Sequence, residues 1–282
     1  MNASTCQTGV LKTDDHLDLF YQYLLSGAER GRLVIAHGLG EHSGRYQELM
    51  KELAELGLSC WAPDHRGHGR SGGRRGHVDT FDQYLTDLDQ LMAVANQDRP
   101  AGQRLFLFGH SMGGLIAVRY VQKHPRAVDG LALSSPALGM VIKVSGLKLK
   151  MAEIMSKLWP ALSLNNGVDS AYISHDAATV TAYRNDPLVH PKITARWTME
   201  FLHAIQTAND QAAEVKVPCS MQIAGDDHLV SAPSSRTFFE HLAVSDKTLH
   251  YYEDYYHENF NETPDRREIA LADLKAWLGA RL

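Results

Sequence analysis

Leu105-Phe106-Leu107-Phe108-Gly109-His110-Ser111-Met112-Gly113-Gly114 begins as an unbroken apolar run, turns at a serine flanked by glycines, and continues into a second apolar stretch. Four consecutive large apolar residues fit a strand buried on both faces. Met112 to Gln122 has helical spacing and stops before Pro125. A serine at such a strand-to-helix junction sits on a sharp turn. Side chains at its flanks would meet neighbouring backbone, and glycine removes those contacts. The stretch therefore predicts one βα unit whose serine is held at the sheet's edge.

The same alternation spreads outward. Residues 18–25 alternate loosely and predict an antiparallel strand. Leu33-Val34-Ile35-Ala36 predicts a buried strand ending in the loop His37-Gly38-Leu39-Gly40. A helix follows, with Tyr46, Leu49, Met50, Leu53 and Leu56 on one face and Gly57 closing it. Leu58 to Ala62 reads as a strand entering the glycine-rich loop Asp64-His65-Arg66-Gly67-His68-Gly69. Thr80-Phe81-Asp82-Gln83 has the form of a capping box, opening a helix that carries Leu85, Leu88, Leu91 and Met92. Leu131-Ala132-Leu133 is a further strand. Strands alternating with helices predict a mainly parallel sheet covered on both faces, with functional loops at the strands' carboxyl ends. Near residue 138 the alternation stops. To about residue 200 the chain is helix-like, broken at Asn165-Asn166-Gly167 and Asp186-Pro187. Strand signals return at Ser220-Met221-Gln222-Ile223 and Thr248-Leu249-His250-Tyr251-Tyr252, and a last helix carries Ile269, Leu271, Leu274, Trp277 and Leu278. The expectation is one α/β domain over 1–282 with a mainly helical cap inserted at about 138–200.

Composition narrows the function classes. A chain of 282 residues that is 44% hydrophobic can bury one large core. Its net charge of −5 gives no reason to expect a nucleic-acid partner. Cys6, Cys60 and Cys219 are an odd, scattered set, which suits a reducing compartment better than a disulfide framework. Neither a basic segment leading into an apolar run at the N-terminus nor a stretch of 18 apolar residues is present. A cytoplasmic protein is expected.

The chemistry starts at Gly109-His110-Ser111-Met112-Gly113, which fits the nucleophile elbow G-x-S-x-G of the α/β-hydrolase fold. Ser111 is the candidate nucleophile, and the Met112 N–H, at a helix N-terminus, points where an oxyanion would form. A hydroxyl needs a base oriented by a third group, and in this fold the chain order is serine, acid, histidine. The strand ending at Ile223-Ala224 offers Asp226 and Asp227 as the acid. The last strand is followed by His257; His250 lies within that strand and His241 in a helix, so both are set aside. His37, His42, His65, His68 and His77 all sit in glycine-rich loops without metal-ligand spacing. They are expected to order those loops, with His37 bracing the first, and neither a metal nor an organic cofactor is expected. By spacing alone Glu41 and Arg45 are an ordinary i,i+4 surface pair. Val144, Leu147, Met151, Ile154, Met155, Leu158 and Leu162 have helical spacing and are accompanied by Lys143, Lys148, Lys150 and Lys157 with only Glu153 opposing. Such a segment suits a cap helix over an apolar pocket and also transient contact with a membrane surface.

These motifs resemble one family. His37-Gly38-Leu39-Gly40-Glu41-His42-Ser43-Gly44-Arg45-Tyr46, Asp64 through Ser71, Gly109 through Gly114, and Asp227-His228-Leu229-Val230 after Gly225 are similar to the corresponding segments of monoacylglycerol lipases. The resemblance covers about 10–137 and 183–282, which leaves 138–182 as the part that would choose the substrate. It implies an eight-stranded sheet and Asp227 as the acid. It also implies the Leu39 N–H as second oxyanion donor, Glu41 and Arg45 at the glycerol end, and Tyr183 in the cap near the alcohol. The implied reaction is hydrolysis of a monoacylglycerol or similar single-chain lipid ester through an acyl-enzyme. A lysophospholipase or broad carboxylesterase is the alternative, and a non-catalytic ligand-binding descendant a remote one. Met140, Val141, Ile142, Leu147, Met151 and Leu158 are expected to line an acyl tunnel.

Overall fold

The computed structural model describes residues 5–141 and 146–282, with backbone alone for 147–149. In chain order the strands are β1 (Gln7–Lys12), β2 (Asp18–Leu24), β3 (Gly31–Ala36), β4 (Leu58–Pro63), β5 (Arg104–His110), β6 (Gly130–Ser134), β7 (Ser163–Asn165), β8 (Lys192–Thr194), β9 (Cys219–Ala224) and β10 (Lys247–Tyr252). The helices are α1 (Gln47–Glu55), α2 (Asp82–Asn96), α3 (Met112–Lys123), α4 (Gly146–Leu158), α5 (Ala177–Asn185), α6 (Ala195–Asp210), α7 (Ala232–His241) and α8 (Pro264–Gly279).

One eight-stranded sheet runs in the order β1-β2-β4-β3-β5-β6-β9-β10. Only β2 opposes the rest, pairing antiparallel with both β1 and β4. The inner strands β4, β6 and β9 are buried at every residue, and β3 and β5 at all but one, which is why they read as continuous apolar runs. Tyr84 and Leu88 of α2, Leu115 of α3, Trp197 of α6 and Phe238 of α7 cover one face. Leu53 of α1 and Leu271 and Trp277 of α8 cover the other. The edge strand β1 was not foreseen. Its residues are mostly exposed, so no alternation marks it, and it exists by pairing with β2, Val10 opposite Phe20. The capping box also differs: the Gln83 side chain accepts from the Asp79 N–H at 2.8 Å, one residue beyond Thr80, and α2 begins at Asp82.

The strand order places the site. The chain leaves β3 for β4 on one side and returns as β5 on the other, so the carboxyl ends of β3 and β5 form the topological switch point of the sheet. Ala36 and Gly109 are register partners there. The loop after β3 and the serine turn after β5 must therefore leave the sheet side by side.

Between β6 and α6 the insert carries α4, the antiparallel pair β7–β8 (Leu164 opposite Ile193) and α5. It is thus not purely helical. The expected boundary near 200 falls inside α6, which runs unbroken to Asp210 and buries Trp197, Phe201, Ala204 and Ala208 in the same cluster as α3. The insert seats on the loop after β10: the Glu258 N–H donates to the Ile173 carbonyl at 2.9 Å and the Ser174 hydroxyl to the Asn261 carbonyl at 2.7 Å. No helix among the described residues is long and apolar enough to cross a membrane.

Candidate active site

Ser111 holds φ 53° and ψ −120° immediately before α3, a strained backbone state for a residue with a Cβ. The flanking glycines are required by close approach. A Cβ on Gly113 would lie 2.1 Å from the Ala36 carbonyl oxygen, and one on Gly109 2.5 Å from that of Gly113. The strain is held by the Ser111 N–H donating to the Ser134 carbonyl at 3.1 Å and by the Leu115 and Ala137 N–H groups, which donate to its carbonyl.

The neighbouring loop is held just as closely. The His65 N–H donates to His37 Nε2 at 2.9 Å, so the His37 proton resides on Nδ1, which donates to the Gly38 carbonyl at 2.7 Å. Burial keeps the His37 pKa well below its ordinary value, so the ring stays neutral. His37 therefore braces the loop, as expected. Asp64 accepts from the Ser43 N–H at 2.8 Å, the Ser43 hydroxyl at 2.6 Å and the Arg70 N–H at 2.7 Å, tying the loop to the glycine-rich segment behind it. The Gly38 N–H donates to Glu41 Oε1 at 2.6 Å. The next N–H, that of Leu39, has no acceptor among the described residues, nor has the Met112 N–H at the start of α3. Both residues line the cavity that Ser111 lines. This pair of unpaired donors is what an oxyanion hole needs.

His257 Nδ1 lies 2.7 Å from Asp227 Oδ2, with the side chains 5% and 1% exposed. Asp227 Oδ1 accepts from the Leu229 and Val230 N–H groups at 2.8 and 2.9 Å. Asp226 points outward, 54% exposed, and pairs with His228, so geometry separates two carboxylates that sequence left adjacent. Burial pushes the Asp227 pKa up, but the charge and hydrogen bond of His257 outweigh it and the net shift is downward. For His257, burial pushes downward and is outweighed by Asp227, then by the charges of Glu258 and Glu41, so its pKa lies above the ordinary histidine value. His257 lines the same cavity as Ser111; among the described residues their side chains form no hydrogen bond, a contact that often tightens only with substrate. His250 is held by Asp273 at 3.1 Å, away from the site.

The cavity measures about 230 Å³. Ile173, Ile193, Trp197, Phe201, Leu202 and Val230 supply much of its apolar wall, with Glu41, Asn166, Tyr183 and Glu258 among its polar groups. Of the expected tunnel residues whose side chains the structure describes, Met140 lines it and Val141, Met151 and Leu158 do not. Met151 and Leu158 are 57% and 64% exposed on the outer face of α4, and Val141 is exposed as well. Ile142, Lys143, Val144 and the side chains of Leu147 and Lys148 lie outside the described residues.

Of the two residues that the resemblance places at the glycerol end, Glu41 lines the cavity and Arg45 stands behind it. Its guanidinium is occupied. Nη1 donates to Glu41 Oε2 at 2.5 Å and Glu258 Oε1 at 2.7 Å, Nη2 donates to Glu258 Oε2 at 2.7 Å, and the group stacks 4.8 Å from the Tyr183 ring centre. Nor is the Glu41–Arg45 pair a surface one: Glu41 is buried and its Oε1 also accepts from the Tyr46 hydroxyl. Tyr183 of α5 lines the cavity. Sequence reasoning missed Glu258 and Asn166. An acidic residue directly after the candidate base was the available signal for Glu258, and a buried carboxylate is indistinguishable by type from a solvated one. His37, His65 and His68 pack with ring centres 4.2 to 6.5 Å apart. No group of three or more histidine, cysteine or acidic side chains among the described residues is arranged to hold a metal ion.

Comparison with known proteins gives the family of the chain. The chain matches the Hydrolase_4 family, described as "Serine aminopeptidase, S33", over residues 27–264. It is 35% identical over 254 residues to a monoacylglycerol lipase of Mycolicibacterium smegmatis, covering 90% of this chain and 89% of that protein. It is 34% identical over 240 residues to the phospholipase YtpA of Bacillus subtilis, covering 84% and 91%. An uncharacterised abhydrolase domain-containing protein of Dictyostelium discoideum is 37% identical over 252 residues, 89% of this chain, but the chain spans only 26% of its length. The crystal structure of a Paleococcus ferrophilus monoacylglycerol lipase superposes with a TM-score of 0.86 at 34% identity, covering 94% of this chain and 99% of that one. The chain belongs to the Hydrolase_4 family and is a serine hydrolase of the α/β-hydrolase fold.

Proposed function

We propose that the chain hydrolyses monoacylglycerols to fatty acid and glycerol, with Ser111, His257 and Asp227 as its triad. One observation carries the reading: the strained Ser111 and His257 line the same apolar cavity, and the buried Asp227 holds the His257 ring at Nδ1. With its Nδ1 proton held by Asp227, His257 takes the Ser111 proton on Nε2 as the hydroxyl oxygen attacks the ester carbonyl. The Leu39 and Met112 N–H groups receive the oxyanion, each donor contributing about 3 kcal/mol of transition-state stabilisation. His257 returns the proton to the leaving glycerol oxygen, and water then cleaves the acyl-enzyme by the same route. Glu41 and Tyr183 meet the glycerol, while Arg45 holds Glu41 in place. The apolar wall takes one acyl chain, each buried CH₂ contributing up to ~0.8 kcal/mol.

Labelling by a fluorophosphonate, absent in Ser111→Ala, tests the nucleophile. Comparing kcat/KM for mono-, di- and triacylglycerols of one acyl length tests the substrate: the monoacylglycerol should lead, and a lead for triacylglycerol or for short soluble esters would defeat the assignment. The similarity to a phospholipase favours a lysophospholipid as second reading, since it shares the single acyl chain; lysophosphatidylcholine belongs in the same panel. The exposed apolar face of α4 and Trp159 supports transient contact with a membrane surface, and the enzyme is read as cytoplasmic and peripheral.

A further inference from the structure

Two segments far apart in sequence, the loop after β3 and the loop after β10, are joined by a buried chain of charge-assisted bonds. The Gly38 N–H is held by Glu41 at 2.6 Å, Glu41 by Arg45, and Arg45 by both oxygens of Glu258. Glu258 is 5% exposed and directly follows His257. Asn261 Nδ2 donates to Glu258 Oε2 at 2.9 Å, and the Glu258 N–H is fixed on Ile173. A bidentate guanidinium–carboxylate pair is the most directional ionic contact available to side chains. Here it connects the residue beside the candidate base to the residue before the candidate oxyanion donor Leu39.

We propose that Glu258 is a positioning residue: through Arg45 and Glu41 it locks the Leu39 loop to the His257 loop, and its charge stabilises the imidazolium formed when Ser111 is deprotonated. The proposal rests on the triad reading above. Two carboxylates share one guanidinium, so the group carries one net negative charge. Burial in a low-dielectric site makes that charge felt at His257 more strongly than it would be at the surface. Losing the Glu258 charge leaves Arg45 balanced by Glu41 alone and makes the imidazolium harder to form. The groups facing His257 are Asp227, Glu258 and Glu41, which all push its pKa upward, and the His110 ring 4.7 Å away, which burial keeps neutral.

The test measures kcat, KM and the pH profile of kcat/KM on a short soluble ester for the wild type, Glu258→Gln, Glu258→Asp and Arg45→Lys, with fluorophosphonate labelling at Ser111 and Tm alongside. Labelling of the wild type must come first; its absence overturns the triad reading and this proposal with it. Given labelling, Glu258→Gln is expected to lower kcat about tenfold at little changed KM and to move the acid limb toward lower pH by ~0.5–1 unit. Glu258→Asp keeps the charge and should leave the acid limb in place. Arg45→Lys keeps the positive charge but loses the fork, so kcat should fall with the acid limb unmoved. A folded Glu258→Gln with the wild-type pH profile overturns the proposal, whether or not kcat falls. If Glu258→Gln does not fold, an Arg45→Lys variant with wild-type kcat overturns it instead.

Discussion

Ala36 and Gly113 touch so closely that no side chain fits between them: a Cβ on Gly113 would lie 2.1 Å from the Ala36 oxygen and 2.5 Å from that of His37. Ala36 ends β3 and Gly113 is the second residue of α3, so this contact sets how near the Leu39 loop comes to Ser111. Gly113→Ala must push apart two backbone segments that have no flexible end to yield. The variant should lose at least about 2 kcal/mol of stability and, if soluble, about a hundredfold or more in kcat, because a 1 Å misplacement of reacting groups has that effect. Gly27→Ala, with no atom within 4 Å of its Cβ, is the control and should match the wild type in Tm and kcat.

The contrast between Asp226 and Asp227 gives a second expectation. Asp227→Asn should lower kcat by about 10⁴ and Ser111→Ala by about 10⁶, while Asp226→Asn, on an exposed carboxylate, should be nearly silent. The pH profile adds a sign. Activity needs neutral His257, so kcat/KM should rise through a pKa above the ordinary 6.5. In Asp227→Asn the upward contributions of the Asp227 charge and hydrogen bond vanish and burial remains, so the acid limb should move to lower pH. A limb that stays in place would remove Asp227 from its role.

Much of this site was legible because its constraints are steric. Gly109 and Gly113 are glycine because backbone passes within 3 Å, and that need shows in sequence as a fixed spacing around Ser111. The inner strands were legible because burial on both faces demands uninterrupted apolar residues. Other features leave no such mark. β1 is exposed and held by ladder hydrogen bonds, which any residue except proline can make. Asp226 and Asp227 differ only in which way a turn sends them. Met151 and Leu158 are apolar yet face outward, so composition alone placed them in a tunnel they do not line. The Arg45–Glu258 pair left no mark because its partners lie 213 positions apart.

The packed histidines behind the Leu39 loop should make the fold acid-sensitive. Burial, then mutual repulsion, holds His37, His65 and His68 well below 6.5, and the Nε2 atoms of His65 and His68 are buried without a partner among the described residues. In the unfolded chain each takes a proton near pH 6.5, whereas the folded chain refuses it. Their contribution is therefore full above 6.5 and is lost as pH falls toward the folded values. The slope approaches about 1.4 kcal/mol per pH unit for each such histidine. His257, raised rather than lowered, has the opposite sign and loses its contribution only as pH climbs through its folded pKa. Urea unfolding between pH 7.5 and 5 should show stability dropping steeply with acid, and a flat response would mean that the cluster is hydrated or already protonated.

The outer face of the cap carries the last expectation. Leu158 and Trp159 are 64% and 62% exposed, adjacent in sequence, and border one cleft with Arg74 from the loop after β4. Lys157 beside them pairs with Glu153 on the surface. Exposed tryptophan and leucine gain by entering a lipid interface, and arginine and lysine gain from anionic headgroups. Leu158→Ser and Trp159→Ser remove apolar area without touching the cavity wall, so turnover of a short soluble ester should be unchanged. Binding to phosphatidylglycerol-containing vesicles should weaken by about tenfold or more for the double variant, since burying each side chain contributes on the order of 1.5–3 kcal/mol. Hydrolysis of monoacylglycerol presented in those vesicles should fall in step. Raising salt should weaken wild-type binding only in part, because the apolar contribution is not screened. Equal sedimentation of wild type and double variant with the vesicles would show that the cap meets no membrane through this face.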